Sequence, residues 1–246
     1  VTGGLLLVGG HVGDMEFTAG HVARLHSRQG DEVVLLHLTA GEGGHPGKDR
    51  GTYRAQKLAE AAAAADRLGA RCRVLSHPDG ELSPTADVAA EVADVLRETR
   101  PATVVTHWRG SLHSDHANCH FLVEKALALV AADGANGQAP ALLFAENWED
   151  ADGFRPDLLV DISSAVDDWL AAAREHELFR GGVVPFDYEG YYDSLTRMRG
   201  RLAGAPRAAA FMRPARRLPV LARLNGQLPA AEPSGPAGRP GGRRPG

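Results

Sequence analysis

Apolar and polar positions along the chain fall into alternating blocks. Short, nearly continuous apolar runs, such as LLLVGG at 5–10, VVLLHLT at 33–39 and TVVTH at 103–107, are separated by longer stretches. In those stretches the apolar residues recur at helical spacing. The pattern predicts strands near 4–9, 33–39, 71–75, 103–107, 141–146 and 158–162. It predicts helices near 16–29, 52–68, 85–99, 115–132, 164–180 and 189–203. Gly30-Asp31, Leu68-Gly69 and Arg100-Pro101 supply helix stops, and DGANGQAP at 133–140 reads as a loop. Strands alternating with helices imply an α/β fold with a Rossmann-like, mainly parallel sheet flanked by helices. From Gly226 onward the chain is rich in Pro, Gly and Arg and cannot bury apolar surface. The expected organisation is one domain over 1–225 and a disordered tail over 226–246.

Composition narrows this picture. The 246 residues suffice for one large domain with a full core. The net charge of −4 is uneven, because residues 197–246 hold eleven arginines and one acid, Glu232. A coding bias toward Arg, Pro, Gly and Ala accounts for that block, and no nucleic-acid partner is expected. Cys72 and Cys119 are too few for a disulfide framework or a thiolate zinc site. No apolar run approaches the ~20 residues that span a bilayer, and no Lys/Arg-led signal peptide is visible. A cytoplasmic setting is the expectation, with a homo-oligomer compatible with the sequence.

The chemistry gathers in two places, His11-x-x-Asp14 and His113-Ser114-Asp115-His116. Each half follows a predicted buried strand, as does Glu42. In parallel sheets, ligands sit beyond the carboxyl ends of the strands. Imidazole plus carboxylate is the ligand mix of a hydrolytic zinc site, with three protein ligands and one open position. Other uses of these residues stay open on spacing alone. Asp14 and Asp115 can cap the helices that follow them, and His116 with His120 forms an i, i+4 pair on one helical face. Glu146, in AENWED, lies at a strand end beside Trp148, whose ring suits stacking on a sugar face. The GGHVG loop lacks the spacing of a dinucleotide-binding turn, and no G-x-S-x-G elbow supports serine-hydrolase chemistry.

Several ordered segments together resemble the LmbE-like, or PIG-L, zinc-dependent de-N-acetylases. These are GHVGDME at 10–16 against the family's HPDDE motif, LTAGEGG at 38–44, and YRAQKLAEAAAAADRLGA at 53–70. HPDGEL at 77–82, HSDH at 113–116 and VDIS at 160–163 followed by His176 complete the series. The resemblance implies a metal-dependent hydrolase that removes an acyl group, typically acetyl, from an N-acylated amino sugar or related small molecule. It implies one Zn2+ per chain held by His11, Asp14 and His116. It also implies that His113, oriented by Asp115, stabilises the oxyanion and protonates the leaving amine, and that Arg54 contacts substrate. One departure stands out. The family carries Asp, the general base, where this chain has Gly13, and Pro where it has Val12. Glu16, Glu42, Asp115 and Glu146 are the candidate substitutes for that base. The alternative is a catalytically reduced metal- or sugar-binding paralogue of the same fold.

Overall fold

The computed structural model describes residues 3–133 and 139–214. Seven strands form one sheet: β1 (Leu5–Gly9), β2 (Val33–Thr39), β3 (Arg71–His77), β4 (Thr103–Thr106), β5 (Ala141–Ala145), β6 (Leu158–Asp161) and β7 (Ala208–Met212). Their spatial order is β3-β2-β1-β4-β5-β7-β6. Strands β1 to β5 pair in parallel, and β7 runs antiparallel to both β5 and β6.

Alternation along β1 separates two cores. Leu5 and Leu7 join Phe17, Val22, Leu68 and Trp169 on one face. Leu6 and Val8 join Val92, Leu96, Leu122 and Val123 on the other. Strands buried on both faces read as continuous apolar runs, which is why β1 and β2 are visible in the sequence.

The helices are α1 (Asp14–Thr18), α2 (Gly20–Arg28), α3 (Arg50–Leu68), α4 (Ala86–Thr99), α5 (Ser114–Ala132), α6 (Val166–Ala173) and α7 (Tyr188–Ala203). Asp49 and Thr85 cap α3 and α4 by accepting from the backbone N–H three residues on. Gly69, with φ 68°, ends α3 in the left-handed conformation.

Three expectations need correction. The helix expected over 16–29 starts at Asp14 and breaks at Ala19, whose φ of −140° belongs to neither α1 nor α2. The helix expected over 164–180 keeps only a 3-10 turn at Ser163–Ala165 and α6, because the chain then turns to bury His176 and Phe179. β7 was not expected at all. The sequence AAAFM has little strand propensity and becomes a strand because it fills the slot between β5 and β6. The tail from Gly226, the last stretch of the 1–225 unit and residues 134–138 of the loop lie outside the described residues.

Candidate metal centre

The chain leaves β1 for β2 and β3 on one side, and later returns to place β4 on β1's other side. The carboxyl ends of β1 and β4 therefore flank the crevice where the strand order reverses. The β1–α1 loop carries His11 into this crevice, and the first residue of α1 is Asp14. The β4–α5 segment brings His107, His113 and His116.

Three atoms close a small triangle. His11 Nδ1 lies 3.1 Å from His116 Nε2 and 3.2 Å from Asp14 Oδ2, and His116 Nε2 lies 3.2 Å from Asp14 Oδ2. A point roughly 2.1 Å from all three, the ordinary zinc–ligand distance, sits just off their plane. The donor set and its spacing thus fit a tetrahedral ion with one position open. The residue groups able to hold an ion also include His113 with His11 and His116, and His107 with Asp14 and His116.

Each imidazole is held from behind. His11 Nε2 faces Asp79 Oδ1 at 3.1 Å and Asp115 Oδ2 at 3.3 Å. His116 Nδ1 faces Glu149 Oε2 at 2.8 Å and Ser111 Oγ at 3.2 Å. Carboxylates behind ligating imidazoles fix ring orientation and raise ligand basicity. Burial opposes the charged form of His11, yet Asp14, Asp115 and Asp79 raise its pKa well above the ordinary range. Burial likewise opposes ionisation of Asp14, but His116, His11 and His107 hold its carboxyl well below the usual range. His107 stacks on His116 with ring centroids 4.0 Å apart, and burial lowers its pKa to about 4.

The loop that carries His11 and leads to Asp14 is gripped through its backbone by three buried charged side chains. His37 Nδ1 lies 3.2 Å from His11 O. Lys57 Nζ donates to Val12 O at 2.5 Å. Gly13 N donates to Glu16 Oε2 at 3.2 Å. Gly13 has φ 105°, a conformation that L side chains rarely adopt, so the bare residue suits its backbone.

Above the triangle lies a cavity of about 180 Å³, lined among others by Lys57, Asp79, His113, Asn147, Trp148 and Glu149. His113 Nδ1 accepts from Asp115 N at 3.2 Å, which leaves Nε2 as the protonated nitrogen of the neutral ring. Burial and the neighbouring His11 and His116 lower its pKa. The carboxylate of Asp115 accepts from Gly80 N at 2.8 Å, and no hydrogen bond joins it to the His113 ring among the described residues. The link between these two residues is therefore a peptide N–H.

The remaining sequence-named residues lie elsewhere. Glu146 pairs with Arg199 and lines a separate small cavity. Glu42 accepts from Asp79 N at 3.1 Å and faces Arg54 at 3.7 Å, outside the wall of the metal cavity. Glu16 is fully buried behind the loop, paired with His37. Trp148 stacks on Phe186 at 4.4 Å by the cavity mouth. His120 turns to His107 O at 3.0 Å, away from the triangle. Spacing singles out none of Asp79, Glu149 and Lys57, and it puts His107 at a strand end near the site without an argument for ligation. Asp79 stands inside the quoted HPDGEL turn and His107 closes the fourth apolar run, whereas Glu149 and Lys57 carry no spacing signal.

A mainly parallel α/β sheet with a His/Asp triangle at its switch point defines the class as that of α/β proteins with a cleft at the carboxyl edge, here one whose side chains could hold a metal ion. Residues 6–127 match the PIG-L (LmbE-like) family, described as GlcNAc-PI de-N-acetylase. Among curated relatives, a 4-oxalmesaconate hydratase of Pseudomonas putida is 29% identical over 181 residues, covering 68% of this chain and 70% of the relative. A 1D-myo-inositol 2-acetamido-2-deoxy-alpha-D-glucopyranoside deacetylase of Kineococcus radiotolerans is 30% identical over 174 residues. That match covers 56% of this chain and 48% of the relative, so the chain spans about half of that enzyme's length. The crystal structure of the conserved protein TT1542 from Thermus thermophilus superposes with a TM-score of 0.73 at 28% identity, covering 89% of this chain and 99% of the other.

Proposed function

We propose that the protein is a zinc-dependent deacetylase that removes acetyl, or a related acyl group, from an N-acylated amino sugar or similar small molecule. One Zn2+ per chain would be held by His11, Asp14 and His116. The observation that carries this reading is the triangle of His11 Nδ1, Asp14 Oδ2 and His116 Nε2 at 3.1–3.2 Å, opening into a cavity. The ion supplies Lewis acidity to the amide carbonyl and acidifies water there.

The chain's own groups supply the rest. His113, neutral and protonated on Nε2, would donate a hydrogen bond to the developing oxyanion, and the proton taken from water by a cavity carboxylate would pass to the leaving nitrogen. The Trp148 face, beside the mouth, receives the sugar ring. With Gly13 lacking a side chain, proton acceptance falls to a carboxylate of the cavity. Asp79 and Glu149 occupy its wall, while Glu146 and Glu42 do not. Arg54, tied to Glu42 at the periphery, serves an extended substrate rather than the reacting bond.

The test is zinc stoichiometry together with amine release from N-acetylglucosamine and larger N-acetylated sugars. One zinc per chain and slow turnover are expected. Asp79→Asn or Glu149→Gln should lower kcat by about 10²–10⁴, and Glu146→Gln should leave it within about twofold. Zinc without hydrolysis of any acylated sugar would leave the binding paralogue standing. A second reading is favoured by Gly13 and by the hydratase relative: addition of water to an unsaturated oxo acid. Hydration of such an acid with no amide hydrolysis would select it.

A further inference from the structure

Lys57 is a buried amine that no carboxylate among the described residues neutralises by direct contact. Its side chain sits in the wall of the metal cavity and is 2% exposed. Nζ has three hydrogens to donate, and one is taken by Val12 O at 2.5 Å. The Tyr53 ring stands 5.9 Å away. Among the described residues, no carboxylate oxygen lies within 4.0 Å of Nζ. Burial lowers the Lys57 pKa, and Glu60, Asp14, Glu16 and Asp79 oppose that shift without touching Nζ. A buried ammonium with unused donors is costly to maintain unless an anion comes to meet it.

The surroundings show where that anion would lie. Gly13 and Gly41 flank Lys57, so no side chain from either covers it. A Cβ on Gly13 would stand 3.5 Å from Nζ, and one on Gly41 would stand 3.7 Å from Cε. Trp148, 36% exposed, and Lys57, 2% exposed, line the same cavity as His11, Asp14 and His116. With the amide at the triangle and the sugar on Trp148, the acyl substituent meets the rest of the cavity wall, to which Lys57 contributes a cation.

We propose that Lys57 is an anion-recognition group and that the acyl portion of the substrate carries its own carboxylate, as in N-malonyl or N-succinyl compounds. This inference rests on the deacylase reading for the acyl nature of the substrate, and on the position of Lys57 in the cavity wall for the anion. A carboxylate there accepts two hydrogen bonds from Nζ, and charge-assisted bonds of this kind are roughly twice as strong as neutral ones.

The experiment compares N-malonylglucosamine with N-(3-methylbutanoyl)glucosamine, its uncharged isostere, by calorimetry and turnover on the zinc-loaded protein. Wild type should bind the malonyl compound at least about tenfold more tightly, a difference of about 1.4 kcal/mol. In Lys57→Gln, which keeps a donor for Val12 O, that ratio should fall to about one while zinc content is retained. No preference in wild type, or a preference undiminished in Lys57→Gln and hence owed to the ion, would overturn the proposal. If Lys57→Gln does not fold, a crystal structure of wild type with the malonyl compound decides. Nζ within hydrogen-bonding distance of the carboxylate supports the inference, and any other placement removes it. Preferential binding without hydrolysis would sink the deacylase reading and keep Lys57 as an anion-recognition group; equal hydrolysis of both compounds would do the reverse. Binding of neither would remove both.

Discussion

Glu16 Oε1 and His37 Nε2 stand 3.2 Å apart with both side chains fully buried, directly behind the loop that carries His11 and Asp14. Burial acts against both charges, yet each residue outweighs that penalty for the other. The Glu16 carboxyl is lowered to about 2 and the His37 imidazole raised to about 10. Their outer atoms then hold the loop backbone, Glu16 through Gly13 N and His37 through His11 O. Neither touches the triangle of ligand atoms. Their effect on it passes through two peptide groups.

Glu16→Gln should therefore weaken zinc binding by about 10–100-fold, the usual consequence of losing an outer-shell contact. Chelator competition measures this. It should also lower the unfolding midpoint, because removing one partner of a buried pair costs about 3–5 kcal/mol. Wild-type affinity in a folded Glu16→Gln protein would show that the loop holds its shape without the pair.

Zinc content separates the two histidines of α5. His116→Ala should purify with little bound zinc, while His120→Ala should retain close to one equivalent. His120 Nδ1 already faces His107 O, and its ring packs on Phe144 at 4.6 Å. The opposite result would mean that the helix pair binds the ion.

Gly13→Asp restores the family's acid but should give less than about a tenfold gain in kcat. The backbone at φ 105° makes any side chain strained, at about 1–2 kcal/mol. The new Cβ would meet Phe17 at 3.0 Å and stand 3.5 Å from Lys57 Nζ, so the carboxylate would pair with the ammonium. Gly13→Asp combined with Lys57→Gln should recover more activity than Gly13→Asp alone. A gain of a hundredfold or more from the single change would show that the loop relaxes around the acid.

Acid stability should depend on His21. Burial alone lowers its pKa to about 3, from an ordinary value of 6.5. Between those pH values the unfolded chain takes up a proton that the folded one refuses, so this residue makes stability fall as pH drops from about 6.5 toward 3. The slope approaches one proton, about 1.4 kcal/mol per pH unit. His21→Phe keeps a ring against Trp169, 5.0 Å away in the native protein, and should flatten that part of the profile. Urea midpoints measured from pH 6 to pH 4 check this; parallel profiles for the two proteins would contradict it.

The sheet was legible wherever burial on both faces wrote an unbroken apolar run, as in β1, β2 and β4. It was illegible at β7, where AAAFM gains its conformation from two neighbours remote in sequence. The site divides in the same way. His11, Asp14, His113 and His116 announced themselves by position after two strands. Asp79 and Glu149 did not, because their part is defined by which imidazole nitrogen they face. Glu146 misled because a strand-end acid beside a tryptophan suits a site, whereas its partner Arg199 comes from α7 and cannot be read from spacing.

The position of β7 separates the order of synthesis from the order of assembly. β6 is translated well before β7, yet β7 is its sole neighbour among the described strands. A nascent chain that has reached Gly204 already contains every candidate ligand and the residues behind them. Until Ala208–Met212 emerge, however, β5 and β6 each present an unpaired edge open to other chains. A ribosome that pauses just ahead of β7 would hold a chain whose chemistry is written but whose edges are still adhesive, so the pace of translation over those few codons bears on solubility rather than on catalysis.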